Sequence, residues 1–183
     1  PVGVGVGDAH GYPRELPGYP RNYVLSETDN PWEIDPGQVV DALKRRASTA
    51  SFGPVIRFSA GDGSPVGSQL AAGKEGTTLH IQVQAVPWVP VDRIELIANG
   101  SLIRTFPVED RPEVVRFDED VTVRPEKDTW YLVLATSDRR WDAPFSNFSS
   151  FSFTNPILLD VDGNGYFDPP NPGYTGTPPE PKE

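Results

Sequence analysis

The sequence predicts a mainly β chain: an antiparallel sandwich of immunoglobulin-like type from Ser51 onward, preceded by a short segment with one helix. Strand-like runs separated by turn signals recur roughly seven times in about 110 residues. The chain holds 21 Pro and 17 Gly among 183 residues, a density of breakers that suits many short strands better than long helices. Hydrophobic residues make up 37%, low for a compact α/β enzyme and acceptable for a loop-rich β protein.

Residues 4–11 read Val-Gly-Val-Gly-Asp-Ala-His-Gly. A short apolar run ends in Asp8, and His10 follows two positions later. Residues i and i+2 of a strand share a face, so Asp8 and His10 converge where the strand ends. A carboxylate oxygen and a neutral imidazole nitrogen together suit a divalent metal, and the flanking glycines allow close approach. The same residues also suit a plain strand-to-turn junction, with Asp8 bonded to local backbone and His10 exposed. Residues 11–31 show neither helical nor strand period and read as a long loop. That loop offers Arg14 and Arg21 to an anionic group or to solvent.

Residues 35–46 read as the one clear helix. Asp35 is the N-cap, Pro36 suits the first helical position and Gln38 completes a capping box. Val39, Val40 and Leu43 form an apolar stripe at helical spacing. Lys44, Arg45 and Arg46 complement the dipole in the last turn and make a solvated helix end.

Strand period then takes over. Ile56 and Phe58 share one face of a short strand. Leu79, Ile81, Val83 and Ala85 alternate with polar residues in a half-buried strand, which puts His80 on the polar face with no acidic neighbour at ligand spacing. Trp88 lies between two prolines at a strand end or edge. Residues 92–98 lead through Asn99-Gly100, a hairpin signal, into 101–106. Residues 114–123 give another strand. In 128–136 both faces are apolar, with Trp130, Leu132 and Leu134 opposite Tyr131, Val133 and Ala135, as a central strand requires. Residues 151–159 make the last strand. Asn99-Gly100-Ser101 and Asn147-Phe148-Ser149 match the short glycosylation pattern, and the first is already explained by its turn. Residues 169–183, rich in Pro, Gly, Thr and Glu, read as an extended end or linker stub.

The most specific local pattern follows the last strand. Asp160, Asp162, Asn164, Gly165, Tyr166 and Asp168 match positions 1, 3, 5, 6, 7 and 9 of the EF-hand calcium loop, Tyr166 through its backbone carbonyl. Position 12 is Asn171, so the bidentate Glu is missing, and Pro169 and Pro170 argue against an exiting helix. This is a calcium-loop-like turn, with room for water or a ligand from elsewhere. The ion-free alternative is an Asx-rich turn held by side-chain-to-backbone hydrogen bonds.

The charge balance narrows the partners. With 16 Lys and Arg against 26 Asp and Glu, the net charge is -10. Nucleic acid and anionic membrane surfaces are poor partners for such a chain, and cations, calcium among them, are better ones. There is no Cys and no Met. Thiol chemistry is excluded, and the missing initiator suggests a processed chain or a fragment. No apolar run approaches the roughly 20 residues of a membrane span. The acidity, the calcium-like loop and the sandwich suggest a secreted or periplasmic setting.

The order of the pieces adds to each alone. Gly-Asp-Ala-His-Gly at 7–11 is followed by Gly-Tyr-Pro-Arg-Asn-Tyr-Val at 18–24 and the capped helix. Ser-Phe-Gly-Pro-Val at 51–55 and the β region come next, and then Thr-Asn-Pro-Ile-Leu-Leu-Asp-Val-Asp-Gly-Asn-Gly at 154–165. In this order the chain resembles the C-terminal part of a PHP-domain (polymerase and histidinol phosphatase) metallohydrolase, in the branch related to carbaryl hydrolase. The resemblance implies that residues 1–50 are the last strand, loop and helix of an α/β PHP-like barrel, that 51–168 form the sandwich, and that 169–183 are a tail. It also implies that Asp8 and His10 hold a catalytic zinc, manganese or iron together with ligands from an upstream PHP segment, and that Arg21 lies at the active-site rim. The family's earlier His-x-His and its other ligands have no counterpart here. The expectation is therefore a C-terminal fragment or subunit of a metal-dependent hydrolase, inactive alone, whose metal-bound hydroxide attacks a phosphoester, ester or amide of a small-molecule substrate. The alternative is a non-catalytic, calcium-stabilised sandwich that binds or docks through an exposed aromatic patch such as Trp88, Trp141 and Phe145.

Overall fold

The structure, a computed structural model, describes residues 2–7, 9–11, 18–109, 111–141 and 148–168. They are mainly β. The elements run β1 (Arg21–Val24), α1 (Pro36–Lys44), β2 (Ser48–Phe52), β3 (Val55–Ala60), β4 (Gln69–Ala71), β5 (Thr77–Gln84), β6 (Arg93–Ala98), β7 (Ser101–Pro107), β8 (Val115–Val123), β9 (Thr129–Arg140), β10 (Ser149–Thr154) and β11 (Ile157–Asp160).

β9 is the axis of the larger sheet. On one side it pairs with β10 and then β11; on the other it pairs with β6, which carries β7 beyond it. β2 and then β1 extend the sheet past β10, and β4 lies beyond β11. Every pairing is antiparallel except β11 with β4. The smaller sheet is β3-β5-β8, also antiparallel.

The alternation expected in these strands places the core. Ile56 and Phe58 of β3, Leu79, Ile81 and Val83 of β5, and Phe117 and Val121 of β8 point inward. They meet Ile94 and Leu96 of β6, Tyr131, Val133 and Ala135 of β9, and Ile157 and Leu159 of β11 in one cluster. Phe106 and Phe117 bridge the sheets with ring centroids 5.0 Å apart. Each fully buried aliphatic side chain there contributes about 1.5–3 kcal/mol. Trp130, Leu132 and Leu134 take the opposite face of β9, as its pattern requires, and are half-buried.

The strand list departs from expectation at both ends. β1, β2 and β4 are additional strands, β1 within the stretch read as a loop. The expected last strand divides into β10 and β11 at Asn155-Pro156. Pro156 has no amide to give a ladder, and its carbonyl accepts from the Gly67 amide at 2.9 Å instead. The strand expected to end at Asp8 does not form among the described residues. In its place two asparagine side chains act as ladder partners. Asn155 accepts from the Gly3 amide at 2.8 Å and donates to the Gly3 carbonyl at 3.0 Å. Asn22 does the same at Gly5, at 2.8 and 2.8 Å.

The helix is the expected one, shortened at its C-terminal end. Asp35 caps it by accepting from the Gly37 amide at 2.9 Å, with Pro36 in the first turn. It ends at Lys44 because Arg46 turns to φ 65°, where the Ala47 amide reaches back to the Ala42 carbonyl at 2.8 Å. Val39 and Leu43 are half-buried and Val40 is exposed. The boundary expected at 50/51 falls inside β2, which is hydrogen-bonded to β1 and β10 alike.

Candidate metal centre

β11 delivers Asp160 to the edge of the core. All four of its residues are buried, Asp160 being 4% exposed. Past it the chain turns through Gly163 and Gly165, both at positive φ (71° and 85°), where a side chain would be strained. That turn wraps the backbone around the Asp160 carboxylate. Oδ1 accepts from the Gly163 amide and Oδ2 from the Gly165 amide, each at 2.8 Å. Asp162 Oδ1 accepts from the Asn164 amide at 3.0 Å, and Asn164 Oδ1 accepts from the Tyr166 amide at 2.7 Å.

A third carboxylate comes from outside the loop. Asp128, 7% exposed, precedes β9, which pairs with β11. Its Oδ1 accepts from the Val161 amide and its Oδ2 from the Asp168 amide, each at 2.8 Å, so it clamps the loop at both ends. Asp128, Asp160 and Asp162 each bring one oxygen to within 4.8 Å of the others. No other such group of His, Asp or Glu exists among the described residues. Burial pushes the Asp160 carboxyl upward, but the amides of Gly165 and Gly163 outweigh it and hold the group below the usual carboxylate range. The result is a set of hard oxygens fixed by backbone bonds, the donor type that calcium takes.

Asp160 and Asp162 are thus brought together as the loop spacing expects. Asn164 and Tyr166 sit in the turn, with the Asn164 oxygen engaged by backbone. Asp168 joins through its amide, and the three-carboxylate group does not include its side chain. Asp128 was not legible as a member of this group. Nothing in its local sequence marks it, and only the β9–β11 pairing sets it beside the loop.

The N-terminal candidates fare differently. Asp8 lies outside the described residues, as do Arg14, Phe145, Asn147 and 169–183. His10 is exposed and belongs to no cluster of three ligands among the described residues. Arg21, in β1, lays its guanidinium over the Tyr19 ring at 4.0 Å, and its Nε is buried without a hydrogen-bond partner.

Two expectations are corrected. His80 does have acidic neighbours: β8 sets Asp120 Oδ1 2.8 Å from its Nδ1 and Asp118 Oδ1 3.4 Å from its Nε2, because β5 and β8 pair directly there. Trp141, 3% exposed, donates its indole N–H to Ser150 Oγ at 3.1 Å and packs on Tyr19, Phe52 and Phe148. It therefore cannot share an exposed aromatic patch with Trp88. No helix is long and apolar enough to cross a membrane among the described residues. Neither models of known protein families, nor curated proteins, nor solved structures give a match to this chain.

Proposed function

We propose that this chain is a calcium-stapled β-sandwich module of immunoglobulin-like type, with a binding or docking role and no chemistry of its own. The observation that carries this reading is the Asp128, Asp160 and Asp162 group. Three carboxylates gathered so closely repel one another, and a divalent cation turns that repulsion into attraction. The backbone clamps hold one oxygen of each carboxylate close to the others, so little ordering remains to be done on binding. Calcium at millimolar level outside the cell suits a site with few charged ligands, which fits a secreted or periplasmic setting. The test is calorimetric titration of chelator-treated protein with calcium and, separately, magnesium. One saturable calcium event, stronger than magnesium and absent in Asp160→Asn, supports the reading. Equal, non-saturating heats for the two ions overturn it.

A second reading is favoured by where the apolar surface lies. Val4, Val6, Tyr23, Leu25, Trp32, Ile34 and Val40 are all exposed, Trp32 at 95%. They lie before Ser48 and are left exposed by the described residues, although Trp88, Leu102, Ile103 and Phe151 of the β region are exposed as well. That surface suits a segment completed by a further body, and the resemblance names one, a PHP-type metal-dependent hydrolase using Asp8 and His10 as ligands and Arg21 at its rim. Native mass and metal analysis decides this reading. A co-purifying polypeptide with stoichiometric zinc, manganese or iron, lost in Asp8→Ala, supports it; a lone chain without transition metal removes it.

A further inference from the structure

On the outer face of the larger sheet a groove of about 620 Å³ opens between β9, β11 and the N-terminal segment. Trp130, Leu132, Phe153, Leu158, Phe167 and Arg46 line it. Trp130 and Leu158 stand opposite each other in the β9–β11 ladder, so their side chains share this face. The size and the apolar, aromatic floor are those of a small-molecule site.

The polar groups around the groove are nearly all committed. Asn155 accepts from the Gly3 amide and donates to the Gly3 carbonyl and to Ser48. Thr154 Oγ1 accepts from the Val133 amide at 3.0 Å. The exceptions are the Trp130 indole N–H and Arg46, whose guanidinium makes no hydrogen bond or ion pair among the described residues and whose Nε is buried without a partner. Other arginines make no ion pair among the described residues, Arg21, Arg45 and Arg57 among them, but Arg46 is the one that lines this groove. An unmet buried donor is costly, and a planar carboxylate satisfies a guanidinium in the geometry it prefers.

We infer that this groove binds a small aryl carboxylate, its ring on Trp130 and Phe153 and its carboxylate on Arg46. The inference stands apart from the calcium reading and does not depend on it. The probe is 2-naphthoate, with 2-naphthamide as the uncharged isostere, titrated into the full chain by calorimetry with amide-resolved NMR. Saturable binding of the naphthoate, at least tenfold tighter than the amide, is expected, with shifts at the Trp130 indole and Thr154. Arg46→Met keeps the stem, and should reduce naphthoate to the level of the amide without lowering the melting temperature. Arg46→Lys should recover part of the difference. The inference is overturned if naphthoate does not saturate, if acid and amide bind alike to the unmodified chain, or if the shifted amides lie away from the groove. Because the acid–amide comparison uses the unmodified chain, it decides even if the variants fold poorly.

Discussion

Asp160 shows how one side chain can be both buried and charged. Its two oxygens receive the Gly163 and Gly165 amides, and its carboxyl titrates below the ordinary value of 3.8. A group whose folded pKa is depressed contributes stability that is fully present above its unfolded value and is lost as pH falls through the folded one. Acid unfolding should therefore steepen below about pH 4, and Asp160→Asn should flatten part of that slope. Asp62 and Asp92 keep part of it: Ser64 bonds hold Asp62 down, and at Asp92 the upward push from burial is outweighed by Ser137 and Arg139. Chemical unfolding across pH 2–6 checks this; identical slopes in the variant would contradict it. Asp128→Ala strips the amides of Val161 and Asp168 of their acceptor. Loss of hydrogen bonds to a charged group there should cost about 2–3 kcal/mol in chelator, read as a lower urea midpoint at constant slope. Asp160 and Asp162 were legible from alternating oxygens and a glycine. Asp128 was not, since its role arises only when β9 meets β11.

At the level of elements, legibility follows the source of the signal. The β6–β7 hairpin was readable because Asn99 and Gly100 both take positive φ, 48° and 83°, a demand that only such dipeptides meet cheaply. β2 was not, because Ser-Thr-Ala-Ser-Phe carries no apolar alternation. It is buried through its hydroxyls instead: Ser51 Oγ donates to the Pro54 carbonyl at 2.7 Å, as does Ser152 Oγ of the neighbouring β10 at 2.6 Å. β4, three residues long and parallel to β11, is too short for any period to show. The glycine of the β2–β3 turn is the sharpest test of this level. Gly53 sits at φ +118°, and an added Cβ would lie 2.7 Å from Trp141 Cζ2 and 2.9 Å from Val89 Cγ1. Gly100, at φ +83°, has open space around it. Gly100→Ala should cost about 1–2 kcal/mol from backbone strain alone. Gly53→Ala adds overpacking and should cost about 3 kcal/mol or more. Equal urea midpoints for the two variants would show that the Trp141 contact does not resist expansion.

Over the whole molecule the two sheets share one core, while β9 and β11 also hold both halves of the acidic group. Asp128 leads into β9 and Asp160 ends β11, and these strands pair at Tyr131 with Ile157. A cation bound between them would tie the loop to the strand at the centre of the larger sheet, so its effect should be global rather than a local tightening. An ion that binds only the folded chain stabilises it by about 2.7 kcal/mol at a hundredfold excess over its dissociation constant. For a chain of this size each kcal/mol moves the melting temperature by about 2–4 °C, giving a rise of about 5–11 °C. The net charge of -10 works in the same direction, since bound calcium relieves self-repulsion that chelator leaves in place. The control is Asp128→Ala in saturating calcium. If calcium acts through this group, the variant should melt at one temperature with and without chelator, while the unmodified chain shows the full rise. A rise of equal size in the variant would mean that calcium acts elsewhere on this acidic surface, and the stapled loop would then be a turn held by its own amides.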